Sequence, residues 1–87
     1  MAIITMYTSQ RCGYCSSAEQ LLKRKGVTTL NKIQVDTEPG QLQQMMAKTG
    51  RRTVPQIFIG DLHVGGFDDL SALDRAGKLT ELLAGED

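Results

Sequence analysis

Short apolar stretches alternate along the chain with stretches of mixed polarity, a pattern that predicts β-strands separated by helices. Residues 3–7 are apolar and rich in branched side chains, and they predict a buried strand. Apolar and polar residues alternate over residues 30–35, which predicts a second strand. Residues 54–59 and 62–64 flank Gly60-Asp61, so they are expected to form the two strands of a hairpin.

Three stretches predict helices because their apolar side chains recur at helical spacing. Residues 14–25 form the first, which is expected to end at Gly26. Residues 67–76 predict another helix after the hairpin, and residues 79–83 predict a short last one. The first helix lies between the first two predicted strands, so it completes a βαβ unit.

A further helix is expected between the second strand and the hairpin. One of residues 36–38 would cap it, and Pro39 would lie in its first turn, where the missing N–H of proline costs least. Gly50 is expected to end this helix. Its predicted apolar face consists of Leu42, Met45 and Met46.

The predicted order of elements is β-α-β-α-β-β-α, followed by the short last helix. A right-handed crossover makes the first two strands parallel, whereas the strands of the hairpin are antiparallel. We therefore expect one domain over residues 1–87, of the α/β class, with a mixed four-stranded sheet and helices on both faces. Such sheets carry their ligand sites outside the carboxyl ends of the strands.

Composition and charge narrow the possible partners. The chain has 87 residues, of which 40% are hydrophobic and 23% charged, values typical of a folded globular domain. Its ten basic and ten acidic residues cancel, which gives no reason to expect nucleic acid or a membrane surface as partner. The apolar N-terminus lacks the basic segment and the length of a signal peptide, so we expect a cytoplasmic protein in a reducing compartment.

The only two cysteines, Cys12 and Cys15, stand where the first strand gives way to the first helix. A structural disulfide is disfavoured because the loop that it would close is too short to gain much chain entropy. A zinc site would need about four ligands, and the chain offers one histidine besides the pair, without the spacing of a ligand set. A Cys-x-x-Cys pair beside a βαβ unit favours thiol–disulfide exchange.

Position predicts a different role for each sulfur. The free N–H groups and the positive dipole end of a helix that begins next to Cys12 would favour its thiolate, which is the nucleophilic form. Arg11 would add a favourable charge if its side chain turns toward this sulfur. Cys15 lies one turn further into the helix and is predicted to be the resolving thiol.

Three motifs, in this order, resemble the glutaredoxin family, in particular its small bacterial dithiol members. They are Cys-Gly-Tyr-Cys at residues 12–15, Gly-Arg-Arg-Thr-Val-Pro-Gln-Ile-Phe-Ile-Gly at residues 50–60, and His-Val-Gly-Gly-Phe-Asp-Asp-Leu at residues 63–70. The resemblance covers nearly the whole chain and implies a thioredoxin-like fold. It also implies a monomeric oxidoreductase of redox homeostasis that uses glutathione to reduce protein disulfides and glutathionylated proteins.

The resemblance further implies where glutathione binds. Pro55 is expected to follow a cis peptide bond, although X–Pro bonds are cis only about 5% of the time. The N–H and C=O of Val54 would then pair with the glutathione backbone, while Arg52 would lie near the glycine carboxylate and Tyr14 against the tripeptide. The expected contacts are Arg11, Tyr14, Arg52, Thr53, Val54, Pro55, Gly66, Phe67, Asp68 and Asp69.

Residues 65–69 also have a physical interpretation of their own. N–H groups at a helix start bind a carboxylate, and the two aspartates of this segment attract an ammonium group. The γ-glutamyl end of glutathione carries both charges and therefore fits. Without the resemblance, a simple helix cap is the better explanation of the aspartates.

Two departures from the family pattern leave alternatives open. Ser9 stands where the family usually has lysine, which removes positive charge near the expected glutathione site, although Gln41 could reach the same carboxylate. Gly13 replaces a common proline, and some glutaredoxins without that proline bind a [2Fe-2S] cluster between two subunits, with glutathione and the first cysteine, here Cys12, as ligands. A thioredoxin-like electron donor served by a reductase is another alternative, disfavoured by the absence of tryptophan and by residues 65–69.

Other side chains beside these motifs have no predicted role in the chemistry. His63 and Arg51 are expected to be exposed to solvent. Phe58 is expected to belong to the core, like the methionines of the second helix.

Overall fold

The computed structural model describes residues 3–84, which form four strands and four helices. Their order matches the prediction, and most ends lie within one or two residues of it. The elements are β1 (Ile4–Thr8), α1 (Gly13–Arg24), β2 (Leu30–Gln34), α2 (Gln41–Thr49), β3 (Gln56–Ile59), β4 (Leu62–Gly65), α3 (Phe67–Arg75) and α4 (Leu79–Ala84). No helix within these residues is long and apolar enough to cross a membrane.

The four strands form one mixed sheet in the order β2-β1-β3-β4. β1 and β2 are parallel, as a crossover through α1 requires, and β3 pairs antiparallel with both β1 and β4. Opposite Ile4 and Met6 of β1 lie Ile59 and Ile57 of β3. The predicted mixed sheet is confirmed, and the carboxyl end of β1 leads directly into the cysteine pair.

The main core lies on one face of the sheet. Successive side chains of a strand point to opposite faces, so Ile4 and Met6 share this face while Tyr7 points to the other. Buried residues of α1, α3 and α4 complete the core, among them Ala18, Leu21, Leu22, Leu70, Leu79 and Leu83. On the other face, Tyr7 is buried and lines a cavity together with Lys48 of α2, so helices cover both faces.

The start of α2 differs from the prediction. No acidic residue caps this helix, because the carboxylates before it hold the preceding loop instead. Glu38 accepts a hydrogen bond from the Gln34 N–H at 3.2 Å, and Asp36 accepts one from the Gln10 N–H at 3.0 Å. The expected cap at residues 36–38 is therefore wrong, and α2 begins after Gly40, whose φ of 80° favours glycine.

Three predicted burial states also differ. Met46 is 36% exposed, because its neighbour Met45 is the fully buried residue and adjacent helical positions point about 100° apart. Phe58 is only half-buried, since it lies on the less covered face of the sheet. His63 is half-buried rather than exposed: its ring lies 5.0 Å from that of Phe58 and its Nε2 contacts Gln56.

Candidate functional site

Cys12 caps the amino end of α1. Its backbone is extended, with φ −137° and ψ 105°, and its sulfur accepts a hydrogen bond from the Cys15 N–H at 3.1 Å. This arrangement places the sulfur among the free N–H groups of the first helical turn. Cys12 is half-buried, whereas Cys15 is only 3% exposed, so the first sulfur is the more accessible of the two.

A disulfide joins Cys12 and Cys15. Across from it, the Val54 carbonyl oxygen lies 3.7 Å from the Cys12 sulfur. The Val54–Pro55 peptide bond is cis, as expected, and it places Val54 beside the cysteine pair although 42 residues separate Val54 from Cys12. Among the hydrogen bonds of residues 3–84, none has the Val54 N–H as donor.

A groove of about 340 Å³ runs from Tyr14 and Val54 along the cis-proline loop to the start of α3, and neither cysteine is among its lining residues. Eight of the ten expected glutathione contacts line it. Arg51 and Gln56 line it as well, although neither was expected to take part. The lining residues are Tyr14, Arg51, Thr53, Val54, Pro55, Gln56, Gly66, Phe67, Asp68 and Asp69.

The start of α3 is fixed by Asp69. Its Oδ2 accepts a hydrogen bond from the Gly66 N–H at 3.0 Å and lies 3.1 Å from Nη1 of Arg51. The Gly66 hydrogen bond, followed by the Arg51 interaction, holds the pKa of Asp69 below its ordinary value. Asp69 therefore does cap α3, while Asp68 is exposed beside the groove.

Two glycines let the β4 end pass close to its neighbours. Gly65 has a φ of 117°, and a Cβ there would collide with the Asp69 side chain. A Cβ at Gly66 would lie 3.4 Å from the Pro55 carbonyl oxygen. A side chain at Gly65 would therefore be strained by its positive φ and would displace the Asp69 carboxylate, whereas a Cβ at Gly66 would only just fit against the cis-proline loop.

Comparisons with known proteins agree with this geometry. The glutaredoxin family model matches residues 4–64. The glutaredoxin of Pseudomonas aeruginosa is 50% identical over 84 residues, which cover 97% of this chain and 99% of that protein. The chain belongs to the glutaredoxin family. Glutaredoxin 3 of Escherichia coli is 45% identical over 83 residues, covering 95% of this chain and 99% of that protein.

Solved glutaredoxins share the fold. The crystal structure of a buckwheat glutaredoxin–glutathione complex has a TM-score of 0.87 at 34% identity, covering 95% of this chain and 77% of that chain. The solution structure of glutaredoxin from Brucella melitensis has a TM-score of 0.83 at 47% identity, covering 95% of this chain and 89% of that one. The thioredoxin-like fold is thereby confirmed. Glutaredoxins are thiol–disulfide oxidoreductases, so this chain is an enzyme of that class.

Aromatic rings form one wall of the glutaredoxin groove. Tyr14 is 66% exposed, and its ring stacks against Phe67 with the centroids 6.1 Å apart and the planes 25° from parallel. The contact connects the first turn of α1 to the first turn of α3. It leaves one face of the tyrosine ring free to lie against a ligand.

The arginines are arranged differently from the expectation. Arg51, expected to be merely solvated, is paired with Asp69 and lines the groove, whereas Arg11 and Arg52 are exposed and are not among its lining residues. Adjacent arginines in an irregular loop have no periodicity that reveals which one faces inward. Only the position of Asp69 across the groove distinguishes them.

A second, smaller cleft of about 170 Å³ is lined by both cysteines and is largely polar. Ser9, Glu19 and Lys32 are among its lining residues. Burial raises the pKa of Glu19, but hydrogen bonds with Lys32 and Lys23 outweigh that effect and hold it below its ordinary value. Glu19 is therefore an ionised partner for two lysines rather than a base for thiol chemistry.

A single copy of the chain offers few side chains that could bind a metal ion together. Within residues 3–84, no group of three or more histidine, cysteine or acidic side chains could hold a metal ion. Cys12 is the candidate iron ligand that the sequence predicts, and in this structure its sulfur is bonded to Cys15. A cluster would therefore require a reduced pair and ligands from outside the chain.

Proposed function

We propose that this glutaredoxin uses glutathione to reduce protein disulfides and glutathione–protein mixed disulfides. The observation that carries the proposal is the position of the Cys12 sulfur, 3.7 Å from the carbonyl oxygen of Val54, a residue that lines the groove. A ligand that lies along the groove presents a sulfur to Cys12 if its own sulfur is beside Val54. Glutathione is such a ligand, with its cysteine between a γ-glutamyl and a glycyl residue.

Cys12 is the nucleophile in this proposal. After reduction of the disulfide, the Cys15 N–H that now contacts its sulfur would stabilise the thiolate, as would the remaining N–H groups at the start of α1. The greater exposure of Cys12 gives a substrate access to it. Cys15, almost fully buried, is suited to attack a mixed disulfide formed on Cys12 rather than an incoming substrate.

Reduction of a glutathionylated protein then takes two exchanges. The Cys12 thiolate attacks the glutathione sulfur, which breaks the mixed disulfide, releases the target as a thiolate and leaves glutathione bonded to Cys12. The thiolate of a second glutathione attacks that glutathione's sulfur, so that oxidised glutathione leaves and the Cys12 thiolate is restored. Only one glutathione thiol is consumed: its sulfur is oxidised as the target sulfur is reduced, and the other half of the oxidised glutathione comes from the substrate's mixed disulfide. Glutaredoxin potentials lie about 40–70 mV above that of thioredoxin, worth roughly 2–3 kcal/mol, so glutathione is a sufficient reductant.

Protein disulfides use both cysteines. Cys12 attacks one target sulfur and releases the other as a thiolate, and Cys15 then attacks Cys12 in the mixed disulfide. The target leaves fully reduced, and the enzyme is left with the Cys12–Cys15 disulfide described above. Two glutathione molecules return the pair to thiols, and the cycle therefore requires a reducing compartment such as the cytoplasm.

The groove offers complementary groups for each part of glutathione. The N–H and C=O of Val54 would pair with the backbone of its cysteine, like one rung of a sheet. At the start of α3, the N–H groups of Phe67 and Asp68 suit the γ-glutamyl carboxylate, and the exposed Asp68 carboxylate suits the ammonium group, because Asp69 is already engaged. Arg52 or Arg51 would attract the glycine carboxylate. The crystal structure of a buckwheat relative in complex with glutathione supports glutathione as the ligand.

The electron source separates glutaredoxin activity from a thioredoxin-like role. We expect the purified chain to reduce a glutathionylated peptide when glutathione, glutathione reductase and NADPH are supplied. Thioredoxin reductase with NADPH, in the absence of glutathione, is expected to support no turnover. Activity with thioredoxin reductase alone would contradict the proposal and identify the chain as a reductase-served electron donor.

Gly13 is the observation that favours a second candidate function, the binding of a [2Fe-2S] cluster. Gly13 is the first residue of α1, a position that favours proline, and a Cβ there would meet no atom within 4 Å, so Gly13→Pro is a suitable control with the commoner residue. Purification with glutathione under anaerobic conditions would give a brown dimer if Cys12 of two copies holds a cluster. A colourless monomer from both Gly13 and Gly13→Pro chains would contradict cluster binding.

A further inference from the structure

A chain of hydrogen bonds runs behind the cis-proline loop. Nε2 of His63, on β4, lies 2.8 Å from Oε1 of Gln56, on β3. Nε2 of Gln56 donates to the Thr53 carbonyl oxygen at 3.0 Å and reaches the Thr53 hydroxyl at 3.3 Å. The Gln56 side chain is completely buried, so all of its polar atoms depend on these partners.

The chemistry of these groups fixes their orientation. A carbonyl oxygen only accepts hydrogen bonds, so the amide of Gln56 must direct its NH₂ group toward Thr53 and its oxygen toward His63. His63 must then donate from Nε2. Burial, followed by the positive charge of Arg51, lowers the pKa of His63 despite an opposing effect of Asp69, so at neutral pH the ring is neutral with its proton on Nε2.

Because a peptide unit is planar, the hydrogen bond from Gln56 to the Thr53 carbonyl also determines where the Val54 N–H points. The Thr53 carbonyl and the Val54 N–H belong to one peptide unit. This unit is trans, since the one cis bond found within residues 3–84 is the next one, Val54–Pro55. In a trans peptide the C=O and N–H point in opposite directions. The hydrogen bond from Gln56 therefore directs the Val54 N–H away from Gln56, and it also polarises that N–H into a stronger donor.

We infer that Gln56 and His63 are positioning residues for glutathione, because they fix the Thr53–Val54 peptide whose N–H is free to bind the glutathione backbone. The inference rests on the proposed function, which assigns that N–H to glutathione. Neither side chain touches the reacting sulfurs. Their effect should therefore appear in the binding of glutathionylated substrate and not in the reactivity of Cys12.

Matched substitutions separate the hydrogen bonds from packing. Gln56→Met keeps the length of the side chain and removes the amide, with both its oxygen and its NH₂ group. His63→Phe keeps an aromatic ring against Phe58 and removes the Nε2 donor, whereas His63→Gln loses the ring and restores an N–H at a similar reach. If packing alone matters, His63→Phe resembles the unsubstituted chain, and if the donor matters, His63→Gln does.

Steady-state kinetics with a glutathionylated peptide provide the main measurement. We expect Gln56→Met to raise KM roughly three- to tenfold with kcat nearly unchanged, the effect of one misplaced hydrogen bond. His63→Phe is expected to raise KM about threefold, and His63→Gln to restore most of it. The rate of Cys12 alkylation by iodoacetamide, which needs no glutathione site, is expected to stay the same in every variant.

The outcomes distinguish this inference from the proposed function. No glutathione-dependent activity in the unsubstituted chain would overturn both. Normal activity there with an unchanged KM in Gln56→Met and His63→Phe would overturn the inference alone. If Gln56→Met does not fold, the two His63 variants make the same comparison. Nitrogen-15 NMR of His63 adds a direct check, since a proton on Nδ1 in the neutral ring would contradict the hydrogen-bond chain.

Discussion

Substitution of Asp69 tests how the far end of the groove is held. Its Oδ2 accepts hydrogen bonds from the Gly66 N–H and from Arg51, at 3.0 and 3.1 Å. Asp69→Ala removes both interactions and leaves the Gly66 N–H without this acceptor. Asp69→Asn keeps an oxygen in place for Gly66 but removes the charge that attracts Arg51.

The magnitude follows from the two interactions. A helix cap contributes about 1 kcal/mol to the free energy of unfolding. An exposed ion pair contributes about 0.2–1 kcal/mol, and with 46% of the Asp69 side chain exposed we take about 0.5 kcal/mol for Arg51. Asp69→Ala is therefore expected to cost about 1.5 kcal/mol, or roughly 6–12 °C in Tm for a chain of this size. Asp69→Asn is expected to lose about half of that, because it removes the ion pair and replaces the carboxylate acceptor of the Gly66 N–H with a weaker neutral one.

The effect of Asp69 should depend on pH in a defined direction. Its interactions with Gly66 and Arg51 lower its pKa in the folded protein from the ordinary value of 3.8. A carboxylate of this kind stabilises the fold fully above its unfolded pKa and loses that contribution as the pH falls through the folded pKa. The Tm difference between the unsubstituted chain and Asp69→Asn is expected to be constant from about pH 5 to 7 and to narrow below about pH 4.

Thermal unfolding followed by circular dichroism measures both the size and the pH dependence. Asp68→Asn is the control, since Asp68 is the adjacent acidic residue and makes no hydrogen bond within residues 3–84. It is expected to change Tm by less than about 3 °C. Equal shifts for Asp68→Asn and Asp69→Asn, or a difference for Asp69→Asn that persists unchanged to about pH 2, would refute the reasoning.

Burial and contacts at four other positions lead to three further predictions. Met45→Ala is expected to cost about 2–5 kcal/mol in urea unfolding and Met46→Ala less than about 0.5 kcal/mol, and similar losses would contradict the assigned faces of α2. Tyr14→Ala should raise KM for a glutathionylated peptide several-fold with little change in Tm, whereas Tyr14→Phe keeps the stacked ring on Phe67 and should behave like the unsubstituted chain. Glu19→Gln is expected to cost less than about 1 kcal/mol, and less in high salt, and a loss independent of salt would count against the surface ion pairs.

The sequence predicts the element order and sheet topology well, because strand and helix periodicities are regular and the connections are short. It predicts less well where polar side chains have competing partners. Asp36 and Glu38 have the chemistry of helix caps, yet both accept N–H groups from other segments, and Gly40 sets the start of α2 instead. The N–H that a carboxylate accepts is determined by the tertiary structure, and the local sequence pattern carries no information about it.

The candidate site, too, is only partly predictable from the sequence. The sequence places Cys12 and Cys15 at a helix start, and the family resemblance supplies the cis bond before Pro55, which an ordinary X–Pro sequence does not predict. The contributions of Gln56 and His63 depend on a cross-strand pairing between β3 and β4. Buried polar residues in a predicted strand are the one available signal for such a network, since each of them needs a partner.

The central claim is that Cys12, with glutathione in the groove, carries the chemistry. Mass spectrometry after reaction with a glutathionylated peptide tests it directly, combined with turnover measurements on Cys12→Ser and Cys15→Ser. We predict that Cys15→Ser accumulates one glutathione on Cys12 and keeps substantial activity, whereas Cys12→Ser takes up none and is inactive. An active Cys12→Ser variant that carries glutathione on Cys15 would contradict the account.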